Sequence, residues 1–249
     1  MRHLPASRLL TLAGSAVLLG VSIWLSSLFT TQAALLGTFP LWQRSALGVA
    51  AAILLWGGGV GLLPTHWRKP LRTFPILALL VAVPLGYFHV LLPGRASGGV
   101  DGRQQASALI TESTSNGIIE VGFAYPIYTP TIEVSNHGLF TGHYEVYLRM
   151  IDANGDESLF RAVRRELPDR RLSVEAAVQG LLSETRGYLF NPVTVAPGAT
   201  VTGRVVFIIS NLRDGTTFTD ALGYAYPGQF EIRQPDSGEL LASFPLNRI

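Results

Sequence analysis

Residues 88–105 read FHVLLPGRASGGVDGRQQ, and within this stretch the chain changes from an apolar sequence without acidic residues to a polar, acidic one. Every aspartate and glutamate of the 249 residues lies at or beyond Asp101, whereas the charged residues before it are all basic. From Asp101 onward, twelve arginines oppose seventeen acidic residues, which gives this part a net charge of −5. Two parts in two different surroundings are therefore predicted: a membrane anchor, followed by a domain in water.

Three apolar stretches without a formal charge precede this change, over residues 9–30, 45–63 and 74–92. Each is close to the roughly 20 residues that a helix needs to cross a hydrocarbon core. We therefore expect residues 1–92 to form an anchor of three transmembrane helices. A cleavable signal peptide is the alternative for the first stretch, but its apolar run is longer than a typical signal core.

Basic residues in short loops predict the orientation of the anchor, because they favour the cytoplasmic side. Arg44 is the only basic residue in the loop between the first and second stretches. The N-terminus and the second loop together carry five basic residues, Arg2, Arg8, Arg68, Lys69 and Arg72. We expect a multi-pass protein of the bacterial inner membrane with a cytoplasmic N-terminus. The C-terminal domain would then be extracytoplasmic, and periplasmic in a Gram-negative host.

Small residues in the predicted spans favour close helix packing. Gly57 and Gly61 form a G-x-x-x-G motif in the second span, and Ala16 and Gly20 have the same spacing in the first. This spacing does not distinguish packing among the three helices of this chain from docking onto the spans of a partner.

Charged side chains inside a membrane mark ion and proton pathways, because they are costly to bury in lipid. No Asp, Glu, Lys or Arg lies inside the three stretches. A channel or pump built from this chain alone is therefore disfavoured. His89, near the outer end of the third stretch, is expected at the membrane interface.

Residues 93–117 are rich in glycine, serine and polar residues, and this composition predicts a flexible linker, with a short helix over residues 103–110 as the alternative. From residue 118 onward the pattern is that of short strands. In HYEVYLRMID, residues 143–152, alternation places four apolar side chains on one face, Tyr144, Val146, Leu148 and Met150. The Asn-Gly pair at residues 154–155 then predicts a hairpin turn.

Two features qualify this strand pattern. SVEAAVQGLLSETRG, residues 173–187, predicts an inserted helix with Ser173 as its N-cap and Gly187 as its stop. Gly203 shares the inward face of a strand with valine residues, which predicts a bulge. We expect residues 118–249 to form an all-β domain, an immunoglobulin-like antiparallel β-sandwich with one inserted helix.

Candidate ligand clusters are weak. DANGDE, residues 152–157, begins like a calcium loop but lacks the glycine and glutamate that an EF-hand needs, so a hairpin turn is the favoured interpretation. His137, His143 and Glu145 match no zinc spacing. The chain has no cysteine and no G-x-S-x-G nucleophile motif. We expect no metal, no cofactor and no catalytic residue, although a triad assembled in space stays open.

The motif GFAYP, residues 122–126, is nearly repeated as GYAYP, residues 223–227, but the flanking sequences differ, which argues against duplication. Proline ends ladder pairing, so both motifs are interpreted as strand ends. Their aromatic residues are candidates either for packing in the core or for an exposed interaction strip. The strip would consist of Phe123, Tyr125, Tyr128, Tyr224 and Tyr226.

A second candidate surface is basic. RAVRRELPDRR, residues 161–171, contains five arginines and only two acidic residues. Arg164, Arg165 and Arg170 are candidates for contact with anionic lipid headgroups or with an acidic partner. A solvated turn with internal ion pairs is the favoured alternative.

The function expected from these features is that of a non-enzymatic accessory or scaffold subunit of a membrane complex. Its partners would be membrane lipid and other membrane or periplasmic proteins. Nucleic acid is not expected, because the basic residues that raise the isoelectric point are spread along the membrane segments. A membrane-anchored ligand-binding or sensory domain is the alternative, so a small-molecule ligand stays open, and a membrane-anchored hydrolase is the third hypothesis.

Overall fold

A computed structural model describes residues 6–63, 70–110, 114–115, 120–121, 127–151, 155–167, 173–209 and 228–247. Its contacts divide the chain into two compact units, Met1–Ser97 and Gly98–Ile249. The division falls inside the stretch 88–105, where the sequence changes its character. We refer to the two parts as the helical unit and the β unit.

The helical unit contains three helices that are long and apolar enough to cross a membrane, as the sequence predicts. Its elements are α1 (Ala6–Thr31), α2 (Ala33–Leu36), α3 (Leu41–Leu62), α4 (Pro70–Gly86), a π-helical turn (Tyr87–Leu91) and α5 (Leu92–Arg95). α3 begins four residues before the predicted span at residue 45. Arg44 therefore lies in the first turn of a helix and not in the loop, which corrects its expected position.

α3 is the central helix of this unit and packs against both α1 and α4. The contact between α1 and α3 is close because small residues form it. A Cβ atom added at Gly58 would lie 2.8 Å from Cγ of Leu19 and 3.0 Å from the carbonyl oxygen of Ser15. The hydroxyl of Ser22 donates a hydrogen bond to the carbonyl of Ala51 across the same interface, at 2.8 Å. Only small residues permit this approach of two helix backbones.

α4 continues through Pro84 and then changes to the π-helical turn. Proline has no N–H to donate to the preceding turn of a helix, which loosens the helical hydrogen bonding near this residue. Pro84 also lies against α3, because a Cβ added at Gly48 would be 2.7 Å from the Cβ of the proline ring. The glycine thus allows α4 to approach α3 at the proline.

The β unit is built from short strands and one helix. The strands are β1 (Val100–Ala106), β2 (Leu109–Ile110), β3 (Thr114–Ser115), β4 (Glu120–Val121), β5 (Ile127–Tyr128), β6 (Thr131–Asn136), β7 (Gly142–Ile151), β8 (Glu157–Arg161), β9 (Tyr188–Leu189), β10 (Val193–Val195), β11 (Thr200–Val205), β12 (Phe207–Ile208), β13 (Gly228–Arg233) and β14 (Leu240–Pro245), and the helix is α6 (Val174–Leu182).

Two larger sheets and two small ones organise these strands. The first has the order β1-β6-β11-β9, and the second has the order β10-β7-β13-β14 with β8 also paired to β7. The small sheets are β12-β5-β2 and β3-β4. Pairing is antiparallel except between β9 and β11. The β unit is therefore a mostly β domain with antiparallel sheets, as expected.

One core cluster draws side chains from both larger sheets. The predicted alternation of β7 is present, with Tyr144, Val146, Leu148 and Met150 all buried. Four aromatic rings extend through this core in sequence, with centroids 6.3, 6.0 and 5.1 Å apart, and they belong to Tyr128, Phe207, Phe230 and Phe244. Tyr128, Phe207 and Phe230 are completely buried.

α6 covers a second, smaller cluster. The hydroxyl of Ser173 accepts a hydrogen bond from the amide of Ala176, so it caps the helix as predicted. The helix ends at Leu182, and Gly187, with φ of +95°, lies in the turn that follows. Between Val205 and Phe207, which face the main core, Val206 faces the cluster beneath α6. This segment is thus buried on both sides.

The buried side chain of Asn191 forms hydrogen bonds with the backbone at a gap in the second sheet. β8 and β10 pair with the same side of β7, one beside each half of that strand, and Asn191 lies between them. Its Oδ1 accepts from the amide of Val146, and its Nδ2 donates to the carbonyls of Val146 and Ala162, at 3.0, 3.1 and 3.2 Å. Asn191 is completely buried, so these bonds replace missing ladder partners.

The predicted linker is partly wrong. Residues 100–106 form β1, which pairs with β6 from Val100 to Ala106, and the alternative helix over 103–110 is absent because β1 and β2 occupy that segment. Val100 is buried, and a Cβ at Gly102 would overlap the ring of Phe244. Pairing and core contacts therefore override the glycine-rich composition.

The bulge predicted at Gly203 is also wrong. β11 keeps a regular register with β6 through this residue. A Cβ there would lie 2.6 Å from Cγ of Leu189 and 2.9 Å from the carbonyl oxygen of Gly187. The glycine is explained by the close approach of the chain around β9.

Candidate interaction sites

A groove lies between α1 and α4 in the helical unit, with α3 as its floor. Its volume is about 430 Å³. Gly48, Ala51 and Ala52 contribute the floor, and Ser26 and Leu80 lie on opposite walls. The lining is mainly apolar, and its small floor residues leave room for a rod-like apolar partner. We call this feature the helical groove.

Aromatic rings close one end of the helical groove. The rings of Phe29, from α1, and Phe88, from the π-helical turn, lie 5.7 Å apart. Tyr87 stands edge-on to Phe88 at 5.1 Å. α1 and the end of α4 therefore meet here, while α3 separates them further along.

Of the four predicted packing residues, the two on α3 lie against α1 and the two on α1 are exposed. Gly57 and Gly61 lie against α1, because an added Cβ would lie 3.6 Å from Leu18 at position 57 and would overlap the side chain of Ser15 at position 61. Ala16 and Gly20 are exposed and do not face α3. The packing face of α1 is shifted by one residue from the predicted one.

The residues missed by the sequence reasoning are Ser15 and Ser22 on α1 and Ala51 and Gly58 on α3. Both pairs are seven residues apart and all four are buried. A seven-residue repeat of small side chains is the signal that could have identified this seam, because it keeps one face of a helix against its neighbour.

Polar groups gather at the end of the helical unit near the loop between α1 and α3. The guanidinium of Arg44 is almost fully buried and donates to the carbonyls of Phe39, at 2.8 Å, and Gly37. His89 lies 3.1 Å from the hydroxyl of Ser45, which donates to the carbonyl of Trp42. Arg44 therefore stabilises the loop, and these contacts explain why its guanidinium is buried, so its burial does not indicate an ion pathway.

Tyr128 is the one residue of the predicted aromatic strip that the structure describes, and it is not exposed. Tyr128 is completely buried, and its hydroxyl is bonded to Ser107 at 2.7 Å and to Gln104 at 3.2 Å. Burial raises the pKa of Tyr128. Its role is in the core and not in an exposed strip. The other four members, Phe123, Tyr125, Tyr224 and Tyr226, lie outside the described residues.

The basic surface is divided. Arg164 donates through Nε and through a terminal nitrogen to the carboxylate of Glu175 on α6, at 3.2 and 3.1 Å, and its backbone amide donates to the same carboxylate. Burial raises the pKa of Glu175, but the bonds and charge of Arg164 outweigh this effect and leave the pKa below its usual value. Arg164 therefore holds α6 in place and is not a free surface cation.

The neighbouring arginines have other positions. Arg165 is exposed, and its backbone amide donates to the carbonyl of Asn191. Arg170 lies outside the described residues. Of the three arginines proposed as an interaction surface, Arg165 alone is described with an exposed side chain.

The outward face of the second sheet carries a charge network around Glu231. Its carboxylate is completely buried and lies 2.5 Å from Nε of Arg149 and 2.7 Å from a terminal nitrogen of Arg233. The N–H of Arg149 is poorly aligned with it, so this contact is an ion pair without a good hydrogen bond. Arg149 also pairs with Glu157 at 2.9 Å.

This network sets the ionisation of Glu231. Burial raises the pKa of the carboxyl, whereas hydrogen bonds from Arg233 and Gln229 and the contact with Arg149 lower it, and the net effect is a pKa below the usual value. Paired in this way, the charges serve the fold, since a buried carboxylate is stable only with such partners.

A concave feature lies at the end of the second sheet of the β unit. A cleft of about 540 Å³ lies between the start of β7, the residue before β10 and the turn that joins β13 to β14. We call it the end cleft, and its lining includes His143, Tyr144, Pro192, Gln234, Asp236 and Leu241. Nδ1 of His143 lies 3.0 Å from the hydroxyl of Thr194, its cross-strand neighbour.

The described part of the chain gives no support to the zinc and calcium sites considered from the sequence. No group of three or more His, Asp and Glu residues that could hold a metal occurs there. His137 and His143 are both exposed. Asp152 and Asn154 of the calcium-like segment lie outside the described residues, whereas Gly155 has φ of +85° between the paired strands β7 and β8, as a tight hairpin requires.

Comparisons with known proteins give no family. No protein-family model matches the chain, and no curated protein matches it significantly. A structural genomics target of the Northeast Structural Genomics Consortium, solved by X-ray crystallography, is 14% identical over 59% of this chain and 86% of its own, with a TM-score of 0.26.

A second solved structure is the Pseudomonas fluorescens alkylpurine DNA glycosylase AlkC bound to DNA containing an abasic site analog. It is 11% identical over 83% of this chain and 51% of its own, with a TM-score of 0.28. Both likenesses are too weak to indicate a fold or a function.

Proposed function

We propose that this chain is a non-enzymatic accessory or scaffold subunit of a bacterial membrane complex. In this proposal the three long helices cross the inner membrane with the N-terminus in the cytoplasm, and the β unit, an immunoglobulin-like sandwich in plan, lies outside the cytoplasm. The partners are membrane lipid and at least one other membrane protein.

The observation that carries this proposal is the open helical groove. α1 and α4 both pack on α3, and the groove of about 430 Å³ lies between residues 22–26 of α1 and residues 80–84 of α4. A three-helix unit that folded only for itself would gain from closing this space, because unfilled volume forfeits packing contacts. A transmembrane helix of a partner would fill it.

The floor of the helical groove favours a helix as the occupant. Gly48 and Ala52 are four residues apart on α3 and both line the groove, and Ser22 and Ser26 have the same spacing on α1. Gly48 already lies against Pro84 and Ser22 against Ala51, so Ala52 and Ser26 are the small residues at which the backbone of a partner could approach closely. Most other side chains of the three helices face outward, where lipid would surround them.

The orientation and the place of the β unit are supported by charge. The basic residues around the helices concentrate at the N-terminus and in the loop between α3 and α4. The β unit carries the whole negative charge of the chain. Its two larger sheets share one core, which is the arrangement on which the sandwich proposal is based.

The test is co-isolation of the tagged full-length chain from its native membranes in mild detergent, with partners quantified by mass spectrometry. Ala52→Phe places a ring in the helical groove, whereas Ile53→Phe, one residue along on an exposed face, leaves the groove unchanged. We expect one membrane protein to be recovered with the wild type and with Ile53→Phe, and recovery to fall about tenfold with Ala52→Phe.

Two results would contradict the proposal. One is recovery of the chain alone in several detergents, and the other is equal recovery of the same partner with both variants. Tryptophan fluorescence separates loss of binding from misfolding, because all four tryptophans lie in the first 67 residues. The sensory alternative depends on a ligand for the end cleft.

A further inference from the structure

The end cleft has the size of a ligand site and a stable frame. Its volume of about 540 Å³ lies within the range of small-molecule sites, roughly 300–1,000 Å³. The turn between β13 and β14 forms one wall. Three hydrogen bonds fix that turn: Gln234 N–H to the Glu239 carbonyl, Gly238 N–H to the Gln234 carbonyl, and the Arg233 guanidinium to the Gly238 carbonyl.

Tyr144 presents a hydroxyl to this cleft. The side chain is more than nine-tenths buried, at 8% exposure, and its ring belongs to the main core. A Cβ at Gly142, which also lines the cleft, would overlap the hydroxyl end of the ring. The phenol group therefore lies over the backbone of Gly142, in the space that a side chain at that position would fill.

This hydroxyl differs from those of Tyr128, which is buried, and Tyr147, which is partly buried. The hydroxyl of Tyr128 is bonded to Ser107, and that of Tyr147 donates to Glu145 at 2.6 Å. The hydroxyl of Tyr144 has no hydrogen-bond partner within the described ranges of the chain, and its oxygen is not sealed from solvent. Burial raises the pKa of Tyr144, so the group stays a donor at neutral pH. A buried ring that ends in an unpaired donor favours a ligand acceptor.

The remaining lining defines the other properties of a ligand. Asp236 is the one carboxylate among the lining residues, and it is exposed at the rim. Pro192, Pro235 and Leu241 supply an apolar wall. The nearby charge of Arg233 is already paired with Glu231. A ligand with a positive charge, an acceptor and an aliphatic group therefore matches the cleft.

We propose that the end cleft binds a small organic cation that accepts a hydrogen bond from Tyr144, places its charge beside Asp236 and packs an aliphatic group against Leu241 and the two prolines. This site is separate from the helical groove, and its function does not depend on a partner helix. It would give the β unit a ligand-binding role in addition to scaffolding.

The test is ligand-observed saturation-transfer NMR with the full-length chain in detergent and three probes. L-leucinamide has all three features, because its α-amine is mostly protonated at pH 7. N-acetyl-leucinamide removes the charge, and isoamylamine removes the carbonyl acceptor. We expect saturable binding of L-leucinamide and at least about threefold weaker binding of each of the other probes.

Variants locate the site. Tyr144→Phe removes the hydroxyl and keeps the core ring, and Asp236→Asn removes an exposed charge, so neither threatens the fold. Each should weaken binding of L-leucinamide about three- to tenfold. Glu184→Gln, an exposed change outside the cleft, should have no effect.

Three outcomes overturn the proposal. The first is no saturable binding of L-leucinamide up to about 10 mM, a concentration that would fill a site of millimolar affinity. The second is equal binding of all three probes. The third is unchanged affinity for L-leucinamide in both cleft variants. Loss of affinity in Tyr144→Phe and Asp236→Asn, with the near-UV circular dichroism of the wild type retained, supports it.

Discussion

The two units bury opposite kinds of side chain. In the helical unit small residues occupy the seam, and large ones such as Trp24 and Phe74 face outward with 59% and 66% of their surface exposed. In the β unit the large aromatic residues Phe207 and Phe230 are completely buried. In water a core forms by removing large apolar groups from solvent. In lipid that driving force is absent, and helices associate through close packing of small groups. The contrast fits the change of composition at residues 88–105.

The largest expected effect concerns the aromatic core of the β unit. Phe230→Ala removes the ring between those of Phe207 and Phe244 and should lower the free energy of unfolding by about 3–5 kcal/mol. Urea unfolding in detergent, followed by tyrosine circular dichroism, measures this change. Leu159→Ala, at a 46% exposed position of β8, should cost less than about 1 kcal/mol. Equal losses in the two variants would refute the core assignment.

The corresponding change in the helical unit is an enlargement. Gly58→Leu forces a side chain into the seam between α1 and α3 and should destabilise this unit by about 2 kcal/mol. Gly59→Leu is the matched control, because no atom lies within 4 Å of an added Cβ there. Titration with a denaturing detergent, followed by tryptophan fluorescence, compares them. If Gly59→Leu proved the more harmful, the seam would be misassigned.

Acid should act on the β unit and spare the helical unit, which has no acidic residue. The pKa of Glu231 is lowered from its ordinary value of 4.5. A carboxyl with a lowered folded pKa stabilises the fold above its unfolded pKa, and this stability is lost as pH falls through the folded pKa. We expect the urea concentration at the unfolding midpoint of the β unit to decrease as the pH is lowered below about 4.5.

Glu231→Gln isolates this contribution. The amide does not titrate, so the variant should be less stable than the wild type at pH 7 and should lose less stability on acidification. Glu184→Gln, at an exposed position, should follow the wild-type curve. Parallel curves for Glu231→Gln and the wild type would show that the buried carboxylate does not dominate the acid response.

The smallest effect distinguishes two adjacent arginines. Arg164→Ala breaks the pair with Glu175, in which both side chains are one-quarter exposed, and should cost about 1 kcal/mol. Arg165→Ala, whose side chain is exposed, should cost nearly nothing. Thermal unfolding of the two variants side by side measures the difference. A reversed order would return Arg164 to the list of free surface cations.

Much of the fold is predictable from the sequence, because its strongest signals are local. The three helices follow from uninterrupted apolar length, the inward face of β7 from alternation, and α6 from its cap at Ser173. The segment 93–117 was misjudged because its glycine and serine content is typical of a linker. Its strand β1 depends on pairing with β6 and on the ring of Phe244, both distant in sequence.

The candidate sites were less predictable for the same reason. Gly57 and Gly61 carry a recognised motif and lie against α1, but Gly58, outside the motif, lies in the same contact, and α1 presents Ser15 and not Ala16. The helical phase of a contact depends on the partner helix. Alternation places Tyr144 on the inward face of β7, but nothing local marks its hydroxyl as part of a cleft, since the cleft is assembled from three separate segments.

The hydrogen bonds of Asn191 have a consequence for how this domain can vary. The amide holds Val146 and Ala162 where the chain leaves the sheet, and a bridge joins Arg164 to Asn191 where it returns. The segment between these two residues, which contains α6 and β9, thus begins and ends at neighbouring points. A loop whose ends are already held together changes its closure entropy only slowly with length. This is the position at which the domain could gain, lose or exchange a segment, while the strands on either side remain hydrogen-bonded as they are.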